Sequence, residues 1–291
     1  MSMHRILFCT SAIVYPTGAF FSLPARAGSI SAVLLILFGS LFCATPAALG
    51  AEPIKILLVS TKLDHPPASH MYAFECDLLG KCLTQTPGIE IVRAEDWPKD
   101  EKTLEGVKAI VYYSRPAGDI VLSRQHRESF LRMMDAGVGY TAIHWATDAG
   151  KPFGQEYLGI LGGWFHVDHC GLKVDTRPLV QIDPAHPICR GWKSYPLREE
   201  FYLNLKFHPD AKPIVKATVD GKDQTVAWAF ERKGLKGGRS FGTTLGHFHD
   251  NFTIPEFRKA LVNGILWTAG VDVGAEGAKV LLTAEQTQLP K

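Results

Sequence analysis

The sequence predicts an α/β fold in which helices cover both faces of a doubly wound, mostly parallel sheet. Short apolar runs rich in branched residues, beginning with residues 54–60, have the composition of strands that are buried on both faces. Amphipathic stretches alternate with these runs, and this alternation implies right-handed crossovers between parallel strands. Polar residues directly follow several runs, at the carboxyl ends of strands where ligands of such sheets bind.

The region before the first strand, residues 1–51, is predicted to be an export signal. It contains no Asp, Glu or Lys, and Arg26 precedes an apolar run over residues 32–43. That run is shorter than the roughly 20 residues that span a membrane, and small residues at positions 47–51 offer a cleavage site. We therefore expect a mature chain that begins near Glu52, is periplasmic or extracellular, and has no stable membrane association.

Two alternatives to a cleaved signal stay open. The stretch before the apolar run is long, so translation that begins later than Met1 is compatible with it, as is an uncleaved signal anchor. Lipid attachment at Cys43 is disfavoured, because Phe42 is bulky where such a signal usually has a small residue.

The balance of charge argues against nucleic acid as a partner. The chain has 31 Lys and Arg against 29 Asp and Glu, and loss of Arg5 and Arg26 with the signal leaves 29 of each. Binding to phosphate groups needs a surplus of basic residues on one face. The remaining length, 291 residues less 51, suits one domain with a substantial core. We expect a small-molecule ligand, and a homo-oligomer is compatible with the sequence.

The four cysteines of the mature chain do not form a disulfide scaffold. Cys76 and Cys82 lie six residues apart in a predicted helix, on different faces, and are expected not to pair. For Cys170 and Cys189, a disulfide and two buried thiols are both compatible with the sequence.

The first part of the mature chain alternates strands with helices. The second helix has Ser123 as its predicted N-cap and stops at Gly137. Predicted strands are residues 54–60, 89–93, 107–113 and 139–143, and predicted helices are residues 68–83 and 123–136.

After Gly162 the pattern changes to added β segments with turns between them. A hairpin is predicted over residues 233–238, where glycines and lysines separate two apolar runs. A closing helix has Pro255 near its first turn and Gly270 past its end, and residues 271–291 are expected to form a loosely packed C-terminal extension. Predicted strands are residues 173–183, 213–219, 225–232 and 240–245, and the closing helix is residues 255–269.

The strand over residues 139–143 ends in a polar residue, His144, flanked by the small residues Ala142 and Ala146. This is the outline of a nucleophile elbow, a sharp turn that exposes one side chain above the sheet. Because the exposed residue is histidine, the sequence excludes a hydrolase with a covalent Ser or Cys at this position.

Several motifs in this order resemble the ThuA-like (trehalose-utilisation) family. They lie within residues 107–146, 161–169, 198–202, 243–250 and 257–270, and include Leu-Gly-Gly-Trp-Phe-His-Val-Asp-His and Thr-Thr-Leu-Gly-His-Phe-His-Asp. The resemblance covers nearly all of the mature chain and predicts one ThuA-like domain over residues 52–270. It implies the class I glutamine amidotransferase-like fold, with a flavodoxin-like core.

The resemblance also limits the chemistry. Laid over an amidotransferase, the nucleophile position falls on His144 and the partner histidine on His247, so glutamine hydrolysis is not expected. The family name implies trehalose-like or oxidised (3-keto) sugars, whereas the reaction type stays open among a sugar-modifying hydrolase, lyase or isomerase.

Candidate site residues follow from the clusters of histidines, carboxylates and aromatic side chains. Imidazole and carboxylate groups suit proton transfer and divalent transition metals, and aromatic faces suit sugar C–H edges. His65 is preferred over His70, which is expected on a helix surface; His166 and His249 are expected to have packing or surface roles. The predicted catalytic residues are His144, His247, Glu200 and His169; the substrate-binding residues are Trp145, Trp164, Tyr202 and His65; and the metal ligands are His144, His169, His247 and Asp250.

Two functions fit these observations. The first is an exported enzyme that acts on a sugar derivative by acid–base or metal-assisted chemistry. The second is a non-catalytic carbohydrate-binding or scaffold protein on a degenerate amidotransferase-like fold, which would explain the missing nucleophile.

Overall fold

A computed structural model describes residues 52–234 and 236–290. The predicted export signal, residues 1–51, and Leu235 of the predicted hairpin lie outside the described residues. Twelve strands are described: β1 Ile54–Ser60, β2 Ile89–Glu95, β3 Val107–Tyr113, β4 Gly139–Ile143, β5 Gly163–Trp164, β6 Gly171–Pro178, β7 Val180–Gln181, β8 Pro196–Leu203, β9 Lys206–Phe207, β10 Lys212–Val219, β11 Lys222–Glu231 and β12 Arg239–Thr243.

Seven α-helices are described. Three 3₁₀ turns, at Glu101–Leu104, His144–Thr147 and Pro187–Cys189, supplement them. The helices are α1 Tyr72–Leu83, α2 Ala117–Val121, α3 Arg127–Asp135, α4 Gly154–Leu161, α5 His249–Phe252, α6 Pro255–Thr268 and α7 Ala284–Thr287.

The central sheet has eight strands in the order β2-β1-β3-β4-β12-β11-β10-β7. The first five are parallel to one another, and β11, β10 and β7 extend the sheet through antiparallel pairings. The parallel part has the strand order of the flavodoxin-like fold. The predicted fold class, a flavodoxin-like doubly wound sheet with added β segments, is therefore confirmed.

Strand β1 shows how the sheet is buried on both faces. Its alternate residues Ile56 and Leu58 belong to the core layer under α1 and α6, while Leu57 and Val59 pack with the layer under α3 and α4. All four side chains are at most 1% exposed. Because apolar side chains point to both faces, a continuous apolar run marks this strand in the sequence.

Several boundaries differ from the sequence predictions. Helix α1 begins at Tyr72 rather than residue 68, because Ala68 and His70 have left-handed backbone angles, with φ of 68° and 50°. Helix α3 begins at Arg127, and Ser123 is not its cap; the Ser123 hydroxyl instead donates to the Ile120 carbonyl oxygen at 2.8 Å.

The added β segments also differ in part. The predicted strand over residues 173–183 is two strands, β6 and β7, separated by the buried Leu179. Strand β8, whose charged residues gave no strand signal, pairs along its whole length with β6. Val273 and Val280 of the C-terminal extension are 2% and 5% exposed, so its first part is packed, whereas residues 281–290 include no buried residue, as a loosely packed extension would.

Cys76, Cys82, Cys170 and Cys189 are all free thiols, so the open pairing of the last two is resolved as unpaired in this structure. Burial raises the pKa of Cys76 to about 12, which keeps this thiol protonated. Among the described residues, no helix is both long enough and apolar enough to cross a membrane.

Candidate functional site

Three histidines and one carboxylate meet at the carboxyl edge of the parallel strands. They come from four separate segments: the loop before α1, the turn after β4, strand β8 and the loop after β12. We call this group the imidazole site. Its members are His70, His144, Glu200 and His247.

His144 occupies the elbow predicted from the sequence. It is the first residue after β4 and has a φ of 56°, the left-handed region that few residues other than glycine adopt. Its Nδ1–H donates to the Thr244 carbonyl oxygen at 2.7 Å, so its Nε2 carries a lone pair. The side chain is 0% exposed, unlike the solvent-facing residue of an ordinary elbow, because other side chains of the site cover it.

His247 holds the centre of the site. Its Nδ1 lies 3.1 Å from Nε2 of His70, 3.2 Å from Nε2 of His144 and 3.2 Å from Oε2 of Glu200. The same Glu200 oxygen is 3.6 Å from His144 Nε2. The three imidazole nitrogens all lie within 4.8 Å of one another.

His70 is held by a chain of polar groups behind it. Its Nδ1–H donates to the Tyr72 hydroxyl at 2.8 Å, and that hydroxyl donates to Oδ2 of Asp64 at 3.3 Å. This arrangement puts the proton on Nδ1 and turns the Nε2 lone pair toward His247. The sequence placed His70 on a helix surface, but the residue precedes α1 and is 2% exposed.

A second buried carboxylate, Glu199, shapes the loop that carries His247. Its oxygens accept hydrogen bonds from the backbone N–H groups of Gly246 at 2.7 Å and His247 at 3.0 Å, and from the Asn251 amide at 2.8 Å. It also accepts from the N–H of Glu200 at 2.8 Å. The sequence predicted Glu200 as the catalytic carboxylate, whereas Glu199 is the one that positions the His247 loop.

The buried imidazoles are neutral at neutral pH. Burial, together with the charges of His65 and His247, lowers the pKa of His70 to about 4. Burial, followed by the charge of His70, lowers the pKa of His144 well below its ordinary value. Their inward nitrogens therefore carry lone pairs and do not repel a cation.

Three other predicted site residues, Tyr202, His65 and Trp145, lie beside this site or at its rim. The Tyr202 hydroxyl is 3.2 Å from His144 Nε2, in a side chain that is 2% exposed. The His65 ring lies 3.6 Å from that of His70 and 5.4 Å from that of Trp145, measured between centroids. The Asp250 side chain is exposed on α5 and belongs to no group of metal-ligating residues found among the described residues.

Another predicted pair, His169 and Trp164, packs together at strand β5. The His169 ring packs 4.7 Å from that of Trp164, near His166, and His169 also belongs to no metal-ligating group found in the described part of the chain. Trp164 is 4% exposed and its Nε1–H donates to the Ala149 carbonyl oxygen at 2.8 Å, a packing role.

The two histidines after β12 point to different places. His247 lies in the loop after β12, whereas His249 is the first residue of α5 and has the packing role expected from the sequence. His249 Nδ1 lies 2.6 Å from Oε1 of Glu75, a buried carboxylate on α1, where it supports the packing of the two helices.

Comparisons with known proteins agree with this architecture. The family model for ThuA, described as trehalose utilisation, matches residues 55–268. A Bacteroides uniformis structure described as ThuA-like is 17% identical, covers 78% of this chain and 96% of its own, and has a TM-score of 0.58. A Parabacteroides merdae structure of the same description is 17% identical, covers 82% and 100%, and has a TM-score of 0.60.

A further similar structure is a Salmonella typhimurium protein described as cytoplasmic, at 13% identity, 78% and 100% coverage and a TM-score of 0.54. At these identities the structures show the fold alone. A search of curated proteins finds no match. The family model spans every residue of the imidazole site and confirms the resemblance carried by the motifs: the chain belongs to the ThuA family.

Proposed function

We propose that this chain is an exported enzyme that acts on a sugar or sugar derivative at the imidazole site. The observation that carries the proposal is the convergence of three imidazoles and Glu200 at the carboxyl edge of the sheet. Such an arrangement polarises or deprotonates a hydroxyl or carbonyl group. The family description, trehalose utilisation, supports a trehalose-like or 3-keto sugar as the substrate class.

The route of access is consistent with a small polar substrate. His144 is fully buried, whereas the side chains of His247, Glu200 and His65 are 13%, 20% and 31% exposed. A substrate therefore approaches from the side of these three residues. There it meets the half-buried face of Trp145, a group that packs well against the C–H edges of a sugar.

Glutaminase activity is not part of the proposal. The elbow carries an imidazole where a covalent mechanism needs a thiol or hydroxyl nucleophile, and no Cys or Ser takes part in the contacts of the imidazole site described here. The chemistry that fits the site is proton transfer or Lewis-acid assistance, which is compatible with a hydrolase, a lyase or an isomerase.

Turnover of sugars tests this function directly. The purified protein is incubated with non-reducing disaccharides and their 3-keto derivatives, and products are followed by NMR. We expect conversion by the wild type and a loss of about 10³-fold or more in His144→Ala and His247→Ala, since positioned acid–base groups contribute typically 10²–10⁴-fold. His208→Ala, a half-buried histidine outside the site, serves as the matched control with unchanged turnover.

Two results would contradict the proposal. Saturable sugar binding without product would identify a carbohydrate-binding protein, and unchanged conversion by His247→Ala would place the chemistry elsewhere. Circular dichroism and a melting curve for each variant separate loss of chemistry from loss of folding.

Export is tested by fractionation of cells that produce the full chain. We expect the protein outside the cytoplasm, shortened to a mass that begins near Glu52, because residues 1–51 have the composition of a signal. A variant that lacks residues 2–51 is the control and should stay in the cytoplasm. A full-length product in the cytoplasmic fraction would disprove export.

A further inference from the structure

The ring nitrogens and the carboxylate oxygen that face one another in the imidazole site do not carry enough protons to form hydrogen bonds with one another. Hydrogen bonds on the far side place the proton of His70 and that of His144 on Nδ1, so both Nε2 atoms face His247 as acceptors. The Glu200 carboxylate is also an acceptor. A proton on His247 Nδ1 can be donated to only one of its three neighbours at 3.1–3.2 Å, which are His70, His144 and Glu200.

The spacing of these atoms is close to that of ligands around one metal ion. A tetrahedral ion with bonds of about 2.0–2.1 Å holds its ligand atoms about 3.4 Å apart. Four of the separations in this site are 3.1, 3.2, 3.2 and 3.6 Å, three of them to His247 Nδ1, and the three imidazole nitrogens all lie within 4.8 Å of one another. Imidazole nitrogens with one carboxylate oxygen form a donor set for a first-row transition metal rather than for Mg²⁺ or Ca²⁺.

The hydrogen bonds of the Nδ1 atoms of His70 and His144 are of the kind that orients histidine ligands of a metal. A ligating histidine almost always donates its other N–H to a carboxylate, a carbonyl oxygen or water. His144 donates to the Thr244 carbonyl oxygen, and His70 Nδ1 lies 2.8 Å from the Tyr72 hydroxyl and 3.4 Å from Oδ1 of Asp64. Both rings are thus held in the tautomer and orientation that metal binding requires.

We infer that the group His70, His144 and His247 binds one divalent transition-metal ion, of the class of Zn²⁺, and that Glu200, which adjoins this group, completes the donor set. The three histidines supply the buried ligands, and Glu200, 20% exposed, supplies the oxygen at the side from which a substrate approaches. A metal ion held there would act as a Lewis acid toward a substrate oxygen. The Tyr202 hydroxyl, 3.2 Å from His144 Nε2, is a proton donor beside this nitrogen.

Elemental analysis of the untagged protein tests the inference, after removal of metal by a chelator and reconstitution with Zn²⁺ or Co²⁺. We expect about one ion per chain, and a visible Co²⁺ spectrum of the intense kind given by four-coordinate sites. In His70→Ala and His247→Ala the content should fall below about one-tenth of an ion, while His208→Ala, the control, keeps one.

Glu200→Gln keeps the test decisive if the histidine variants fail to fold. It conserves the volume of a partly exposed side chain, so the protein should fold, bind Co²⁺ at least tenfold more weakly and show a shifted spectrum. Less than one-tenth of an ion in the reconstituted wild type would overturn the inference, as would a full ion retained by both histidine variants. Metal binding without sugar conversion would leave the inference standing and contradict only the proposed sugar chemistry.

Discussion

Replacing Glu199 by alanine is expected to lower the free energy of unfolding by about 4 kcal/mol. The carboxylate is fully buried and accepts hydrogen bonds from three backbone N–H groups, including those of Gly246 and His247, and from the Asn251 amide. Each buried donor that loses its partner costs about 1–3 kcal/mol. Although burial raises the pKa of Glu199 to about 7, the hydrogen bonds do not require full ionisation.

Urea unfolding measures this change, with Glu200→Ala as the matched control on the neighbouring, partly exposed position. The control should change stability by less than about 1 kcal/mol, in the range of an exposed carboxylate. Glu199→Gln should fall between the two, because its amide presents an N–H group to donors that need an acceptor. A loss below about 1 kcal/mol in Glu199→Ala would mean that the His247 loop holds its shape without this carboxylate.

Replacing Trp228 by alanine is expected to cost roughly 3–5 kcal/mol of stability, as large-to-small changes in cores do. The indole is 0% exposed on β11, and its Nε1–H donates to the Leu161 carbonyl oxygen at 2.9 Å. A Cβ added at Gly163 or Gly242 would lie 2.5 or 2.1 Å from this ring, so the two glycines make room for it.

The measurement is the midpoint of thermal or urea unfolding for Trp228→Ala beside Trp228→Phe, which keeps an aromatic ring and should lose less. Gly242→Ala adds a complementary test, since its methyl group would overlap the indole and should cost about 1–3 kcal/mol. If Gly242→Ala is neutral while Trp228→Ala is strongly destabilising, the contact between this glycine and the ring is looser than described.

The parallel half of the fold was predictable because each of its strands is buried on both faces. β1, β3 and β4 were predicted at their observed bounds, and the elbow at His144 followed from the residues that flank it. Strand β8 was missed because its alternation includes Arg198 and two glutamates, which mask its apolar residues in the sequence.

The candidate site was predictable only where a residue directly follows a strand. His144 and His247 follow β4 and β12 closely, whereas His70 lies ten residues beyond β1 in what reads as an amphipathic helix. Its left-handed φ of 50° and its contact with His247 arise from tertiary packing, which no local pattern encodes. The positioning role of Glu199 was not predicted, because strand β8 was missed and with it the alternation that buries Glu199 and leaves Glu200 partly exposed.

The left-handed backbone of His144 restricts what mutation can place at position 144. A φ of 56° disfavours branched and bulky residues, while Asn, Asp and His adopt this region several times more often than other residues. In a library of all substitutions at this position, many variants should be lost to backbone strain before their chemistry matters. Substitutions at position 144 are therefore limited first by the conformation of the backbone and second by the chemistry of the site.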